Sequence, residues 1–298
     1  MKQITVFTPT YNRAYTLPQL YNSLVSQTNN DFIWLVIDDG SSDNTKELIG
    51  QWQSEKKISI EYIYQDNQGM HGAHNTAYKN INTELNVCID SDDYMPNNTI
   101  EKILFLWNRD KNDKIAGILG LDIDQDGKLI GTDFPENLKT CKYSELKRKY
   151  KVIGDKKFIY KTSIIKQYPE YPIFKDERFV PLGYKYMLID QDYDLLCYNE
   201  IFCVVEYQID GSSKTIIEQY KKYPKGFAHE RKVRMIYSYT LRERFQNAVH
   251  YVSSSLLSKN KKFLKESTNK TLTILAIPFG IMAYFYIKNT NKKGWLTS

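Results

Sequence analysis

Residues 86–95 read NVCIDSDDYM. The apolar run from Leu85 to Ile89 ends directly on Asp90, Asp92 and Asp93. Its length and content are those of a buried strand. A strand that reaches the edge of its sheet and there presents three carboxylates must offset their repulsion with a cation, or else end in a solvated turn that caps the next helix. The sequence on either side decides between these readings.

Working outward, strand and helix patterns alternate. Ile4 to Thr8 is a short β-rich run, and Leu17, Leu20, Tyr21, Leu24 and Val25 follow at helical spacing. FIWLVI (32–37) is continuously apolar, as a strand covered on both faces would be. Thr45 to Trp52 predicts a helix capped by Asp43 or Asn44, Ile58 to Tyr64 a third strand, and His74 to Ile81 a helix. Ile100, Ile103, Leu104 and Trp107 predict a helix entered after Pro96 and Asn97. Ile115 to Leu121 predicts a fifth strand, with DQDGK as a hairpin turn. The fold class expected is α/β: a mostly parallel central sheet, Rossmann-like, with helices on both faces. Ligands of such sheets bind beyond the carboxyl ends of the strands. TPTYNR (8–13), DDGSSD (38–43), QDNQGMHGAHN (65–75) and DSDD (90–93) all fall there. Four polar loops converging on one sheet edge make the turn-only reading of Asp90 to Asp93 the weaker one.

Composition fits a globular protein: 298 residues, 42% hydrophobic and 26% charged, with 24 tyrosines. Cys88, Cys141, Cys197 and Cys203 show no CxxC spacing, so neither a metal knuckle nor a disulfide framework is expected. MKQITVFTPTYNR reads as a first strand rather than a signal peptide, which predicts a reducing, cytoplasmic setting. The net charge of +6 conceals an asymmetry. From Lys214 onward there are 17 Lys and Arg against 4 Asp and Glu, while the remainder carries 24 against 31. An acidic body with a basic tail favours an anionic surface as partner.

The four motifs, in this order and at these intervals, resemble the family-2 glycosyltransferases: inverting enzymes of GT-A fold that use nucleotide-sugar donors. IGDKKFIYKTSIIKQYP (153–169) and NEIFCVVEYQIDGSS (199–213) resemble a branch found in bacterial capsule and exopolysaccharide synthesis. The resemblance implies Mn²⁺ or Mg²⁺ on the departing diphosphate, held by few carboxylates together with phosphate oxygens and water. Asp92 then becomes the direct metal ligand. Asp90 becomes a second ligand or a ribose contact, with Ser91 between them and Asp93 behind. Thr8, Pro9, Tyr11 and Arg13 would line the nucleotide, Tyr11 by stacking on the base and Thr8 by bonding it. Asp39, with Asp38 as the alternative, would accept from a uracil or thymine N3–H. His71 and His74, with backbone amides near Gly69 and Gly72, would meet the diphosphate, where relatives carry Lys or Arg and this chain has Met70. The family's general base is an acid on the acceptor side. Glu177 is the first choice and Asp176 the next, followed by Asp190 and Asp192; relatives carry an acid directly after VP, where this chain has Leu182.

These expectations divide the chain into a catalytic domain over 1–213 and a basic helical region over 214–298. Within the first, 1–123 is the nucleotide-sugar half and 124–213 the acceptor half. TLTILAIPFGIMAYFYI (271–287) carries no charge and is flanked by lysines. It predicts peripheral attachment to the inner, anionic leaflet of the cell membrane, with a spanning anchor, a buried helix or a homodimer contact as the other uses. The function expected is transfer of one sugar, from a UDP-sugar above other donors, to a polyprenyl-diphosphate-linked saccharide, with no nucleic-acid partner. A sugar nucleotidyltransferase would need a Gly-rich first loop that TPTYNRAYT lacks. A processive synthase would need more membrane spans. A non-catalytic membrane or nucleic-acid adaptor leaves the acidic cleft unexplained.

Overall fold

The computed structural model describes residues 2–206 and 216–290. The last part of the 199–213 motif, Lys292 and Lys293 therefore lie outside the described residues. In chain order the elements are β1 (Ile4–Thr10), α1 (Leu17–Val25), β2 (Phe32–Asp38), α2 (Thr45–Glu55), β3 (Ile60–Tyr64), α3 (Met70–Asn80), β4 (Leu85–Cys88), α4 (Thr99–Asp110), β5 (Ile115–Asp124), β6 (Thr140–Cys141), α5 (Glu145–Tyr150), β7 (Lys156–Lys161), α6 (Thr162–Ile165), α7 (Gly183–Ile189) and β8 (Asp194–Val205). Five helices follow: α8 (Ile216–Lys222), α9 (Pro224–Tyr237), α10 (Leu241–Leu257), α11 (Phe263–Glu266) and α12 (Lys270–Asn289). They fall into two units, Met1–Glu170 with Lys185–Gln208, and Tyr171–Tyr184 with Ile209–Ser298. The sequence reading keeps 171–184 with the first of these.

In the first unit a sheet runs β3-β2-β1-β4-β7-β5-β8-β6 among the described residues. β1 pairs in parallel with β2 and β4, and β2 with β3, as the βα alternation predicts. The sheet is nevertheless mixed. β7 enters antiparallel between β4 and β5, placing Asn86 opposite Tyr160 and Ile118 opposite Ile159, and β6 is antiparallel to β8. Side chains alternate across the sheet as a strand's period of two requires. On β1, Ile4 and Val6 join the core beneath α1 and α2, where Tyr21 stacks on Trp52 at 4.3 Å. Phe7 points the other way and meets His74 of α3 edge-on at 5.1 Å. Helices thus cover both faces.

The second unit is built on α9, α10 and α12, around Met235, Ala248, Tyr251, Val252 and Ala276. A further cluster joins Ile217, Tyr220, Phe227 and Ile287. Thr240 and Glu243 close α10 with a reciprocal capping box, and the Asn269 side chain accepts from Leu272 N at the start of α12.

Candidate functional site

β1, β2, β3 and β4 deliver their loops to the same edge of the sheet, and hydrogen bonds tie the first three of these loops together. Asn12, at φ 52°, accepts at Oδ1 from Ser42 N at 2.7 Å and Asp43 N at 3.3 Å. Its own N–H donates to Ser41 Oγ, and Ala14 N donates to Asp43 Oδ2 at 3.0 Å. The TPTYNR and DDGSSD loops are therefore clasped side by side. Asp39 fixes the third loop by accepting from Gln65 Nε2, Gln68 N and Gly69 N at 2.7–2.8 Å. Gly69 sits at φ +83°, where a side chain would be strained, and leads into α3. Asp38 accepts from Ser41 N and the Tyr62 hydroxyl. Both members of the DD pair are buried and serve as loop anchors in this structure.

The DSDD turn alternates in exposure. Asp90 and Asp92 are half-buried, while Ser91 and Asp93 turn inward at 7% and 5% exposure. Burial first, and then the charge of Asp90, raises the Asp92 carboxyl above the usual carboxylate range, with Arg13 acting in the opposite sense. A cation between Asp90 and Asp92 would relieve this frustration. Among the described residues no three His, Cys, Asp or Glu side chains form a metal cage. Two carboxylates alone fit a hard divalent ion that takes its other oxygens from a diphosphate and water.

Asp93 is held from behind. It accepts from Glu206 N at 3.2 Å, lies 3.8 Å from Lys157 Nζ, and is pushed up to about 7, chiefly by burial. Lys157 extends from β7 among Asp122, Asp93 and Asp90; burial works against its charge, and these acids together with Cys203 outweigh it. Sequence reasoning missed Lys157 and Asp122 because neither has a spacing signal. It also missed an aromatic wall near Asp90, in which Phe158 stacks on Tyr186 at 4.8 Å and meets Tyr143 edge-on at 5.6 Å. Burial raises the Tyr186 phenol, with Cys88, Tyr143 and Asp90 adding to the effect.

Other predicted residues are placed as follows. Pro9 lies within β1, Tyr11 is exposed beyond it, and Arg13 donates to the Tyr15 hydroxyl. His71 is buried in the first turn of α3, and His74, its Nδ1 2.9 Å from Met70 O, is lowered by burial to about 4. Thr8 turns inward. β1 continues to Thr10, so parity puts Thr8 on the α1–α2 side with Ile4 and Val6, fully buried, with its hydroxyl accepting from Trp34 Nε1 at 3.0 Å.

Glu177 is held at a helix start. Its two oxygens accept from Lys225 N and Gly226 N, each at 2.9 Å, so it caps α9 from 48 residues away. It is 3% exposed, and burial raises its pKa against the pull of those bonds. Asp176 beside it is exposed and paired with Lys225 Nζ, which holds its carboxyl below the ordinary range. Asp190 is likewise a cap, accepting from Tyr143 N and Ser144 N before α5, and Asp192 accepts from the Tyr168 hydroxyl. Glu177→Ala is expected to lower unfolding free energy by about 1–3 kcal/mol through two orphaned N–H groups. A chemical denaturation curve superposing on wild type would refute the capping role.

Comparison with known proteins places this geometry. An uncharacterised glycosyltransferase of Nostoc sp. is 33% identical over 121 residues, 41% of this chain and 37% of that protein. The matched stretch thus spans little more than a third of the relative's own length. Among solved structures, Staphylococcus aureus TarS 1–349 with UDP-GlcNAc superposes with a TM-score of 0.59 at 15% identity, over 96% of this chain and 90% of that one. A mannosyltransferase of Pyrobaculum calidifontis, in complex with GDP-Man and Mn²⁺, gives 0.55 at 14% identity, covering 97% and 88%. These likenesses establish a GT-A, Rossmann-like α/β fold. The glycosyl transferase family 2 profile matches residues 5–168, which include all four loops of the site. The chain belongs to glycosyl transferase family 2.

Proposed function

We propose that this chain transfers a single glycosyl unit, with inversion, from a UDP-sugar to a polyprenyl-diphosphate-linked saccharide in bacterial cell-surface polysaccharide synthesis. The observation that carries the reading is the half-buried pair Asp90 and Asp92 at the end of β4, inside the family match and next to the clasped loops. Mn²⁺ or Mg²⁺, when bound, would supply positive charge to the leaving diphosphate. Asp92 and Asp90 would hold it. Tyr11, exposed at the end of β1, would stack on the base. The acceptor assignment draws its support from the basic, apolar C-terminal region. As general base we assign Asp176 ahead of Glu177, because its side chain is exposed while both carboxylate oxygens of Glu177 are occupied at α9.

The test is calorimetric titration of UDP, TDP and GDP with and without Mn²⁺, followed by a donor-hydrolysis and transfer screen on the nucleotide that binds. UDP binding that requires Mn²⁺ is the expected result. A folded protein that binds no nucleotide overturns the proposal. Asp176→Asn should retain UDP affinity and lose transfer; full transfer by that variant removes Asp176 from the base role.

A further inference from the structure

Helix α12 has two unlike sides. One is buried within the second unit through Thr273, Ala276, Gly280 and Ile287. There α12 packs closely on α10: a Cβ on Gly280 would lie 2.4 Å from Val252 Cγ1 and 3.1 Å from Val249 O. The other side is open. Every exposed residue from 274 to 286 is apolar or aromatic: Ile274, Leu275, Pro278, Phe279, Ile281, Met282, Phe285 and Tyr286. Leu275 and Met282 are 61% and 60% exposed, values usual for a lysine and not for a core residue. At 1.5 Å per residue the strip is about 18 Å long.

Lysines stand at both ends of this strip. Lys259, Lys261, Lys262, Lys265 and Lys270 are all exposed where α10 passes through α11 into α12, and Lys288 is exposed at the far end. The one acid among them, Glu266, accepts from Asn260. Lysines before a helix N-terminus oppose the helix dipole, so their placement does not serve the helix itself. An apolar strip with a lysine collar has the chemistry of a surface that enters the headgroup layer of an anionic bilayer.

We propose that α12 is an in-plane membrane anchor, with Ile274, Leu275, Ile281, Met282 and Phe285 seated among acyl chains and the lysine collar on anionic phospholipid headgroups. The 20-residue helix is long and apolar enough to span, with a mean hydropathy of 1.5 over its best 18-residue window. Spanning, however, would strip it from α10 and expose Ala248, Val252 and the Gly280 contact. A second copy of the chain fits less well, since its own lysines would meet these. The proposal goes beyond glycosyl transfer: its failure would remove the support for a membrane-borne acceptor and leave donor binding at Asp90 and Asp92 untouched.

The experiment is flotation of the full chain with vesicles of phosphatidylcholine alone and with phosphatidylglycerol added. Wild type is expected to float with the anionic vesicles and to be released by salt. The double variant Leu275→Asp/Met282→Asp should lose binding about tenfold or more while melting like wild type. Lys261→Ser/Lys262→Ser/Lys265→Ser should lose binding to anionic vesicles only. A dye on Met282→Cys should be quenched by spin labels near the headgroups and not by labels at the bilayer centre. Absence of flotation, flotation unchanged by the aspartates, quenching from the centre, or a soluble dimer that the aspartates dissociate would each overturn the proposal.

Discussion

Asp92→Ala is expected to abolish Mn²⁺-dependent nucleotide binding and to lower transfer roughly a thousandfold, the equivalent of about 4 kcal/mol of charge stabilisation at the leaving diphosphate. The same variant should melt no lower than wild type. Burial and Asp90 raise the Asp92 carboxyl, so the folded state disfavours its charge at neutral pH, and removing it removes that penalty. Loss of function with retained or slightly raised stability distinguishes a binding carboxylate from a structural one. A variant that unfolds on dilution from denaturant, or that still binds nucleotide only with Mn²⁺, would contradict the assignment.

Lys157→Met is expected to have the largest effect on stability, a loss of about 3–5 kcal/mol. The lysine side chain is 12% exposed and lies 3.8 Å from the 7% exposed side chain of Asp93, with Asp122, itself 2% exposed, as a further neighbour. Methionine fills a similar volume but leaves these acids without a cation in a medium of low polarity. Urea denaturation should show a lower midpoint at unchanged slope. Adding Asp122→Asn should recover part of the loss, because one buried charge then disappears with its partner. A single variant within 1 kcal/mol of wild type would mean that the acids are satisfied without the lysine.

The contrast between these two residues marks how far the sequence could be read. β1 to β5 and their helices are visible in it because each is a local pattern: a run of β-branched residues, a 3.6-residue stripe, a capping side chain such as Asp43 beside Thr45. Asp90 and Asp92 are visible because a polar cluster after an apolar run is itself a local anomaly. The insertion of β7 between β4 and β5 is invisible, since strand order depends on pairings such as Asn86 with Tyr160, 74 residues apart. Lys157 is hidden because a lone lysine in a strand ordinarily faces water, and only its distant acids turn it inward. Glu177 reads as a free acid until its partners, the amides of Lys225 and Gly226, are seen. The inward turn of Thr8 follows from the two-residue period of β1, which sets it on the same face as Ile4 and Val6 beneath α1 and α2.

The clasp between the first two loops also bears on how this scaffold can vary. Surface loops ordinarily tolerate insertions. Here one amide oxygen, on Asn12, holds both Ser42 N and Asp43 N, and Asp39 reaches on to Gln68 and Gly69. A residue added to any of the three loops would break register in the other two. These segments thus form a frame that resists insertion, whereas the connection between β5 and β7 can change in length and leave the clasp undisturbed.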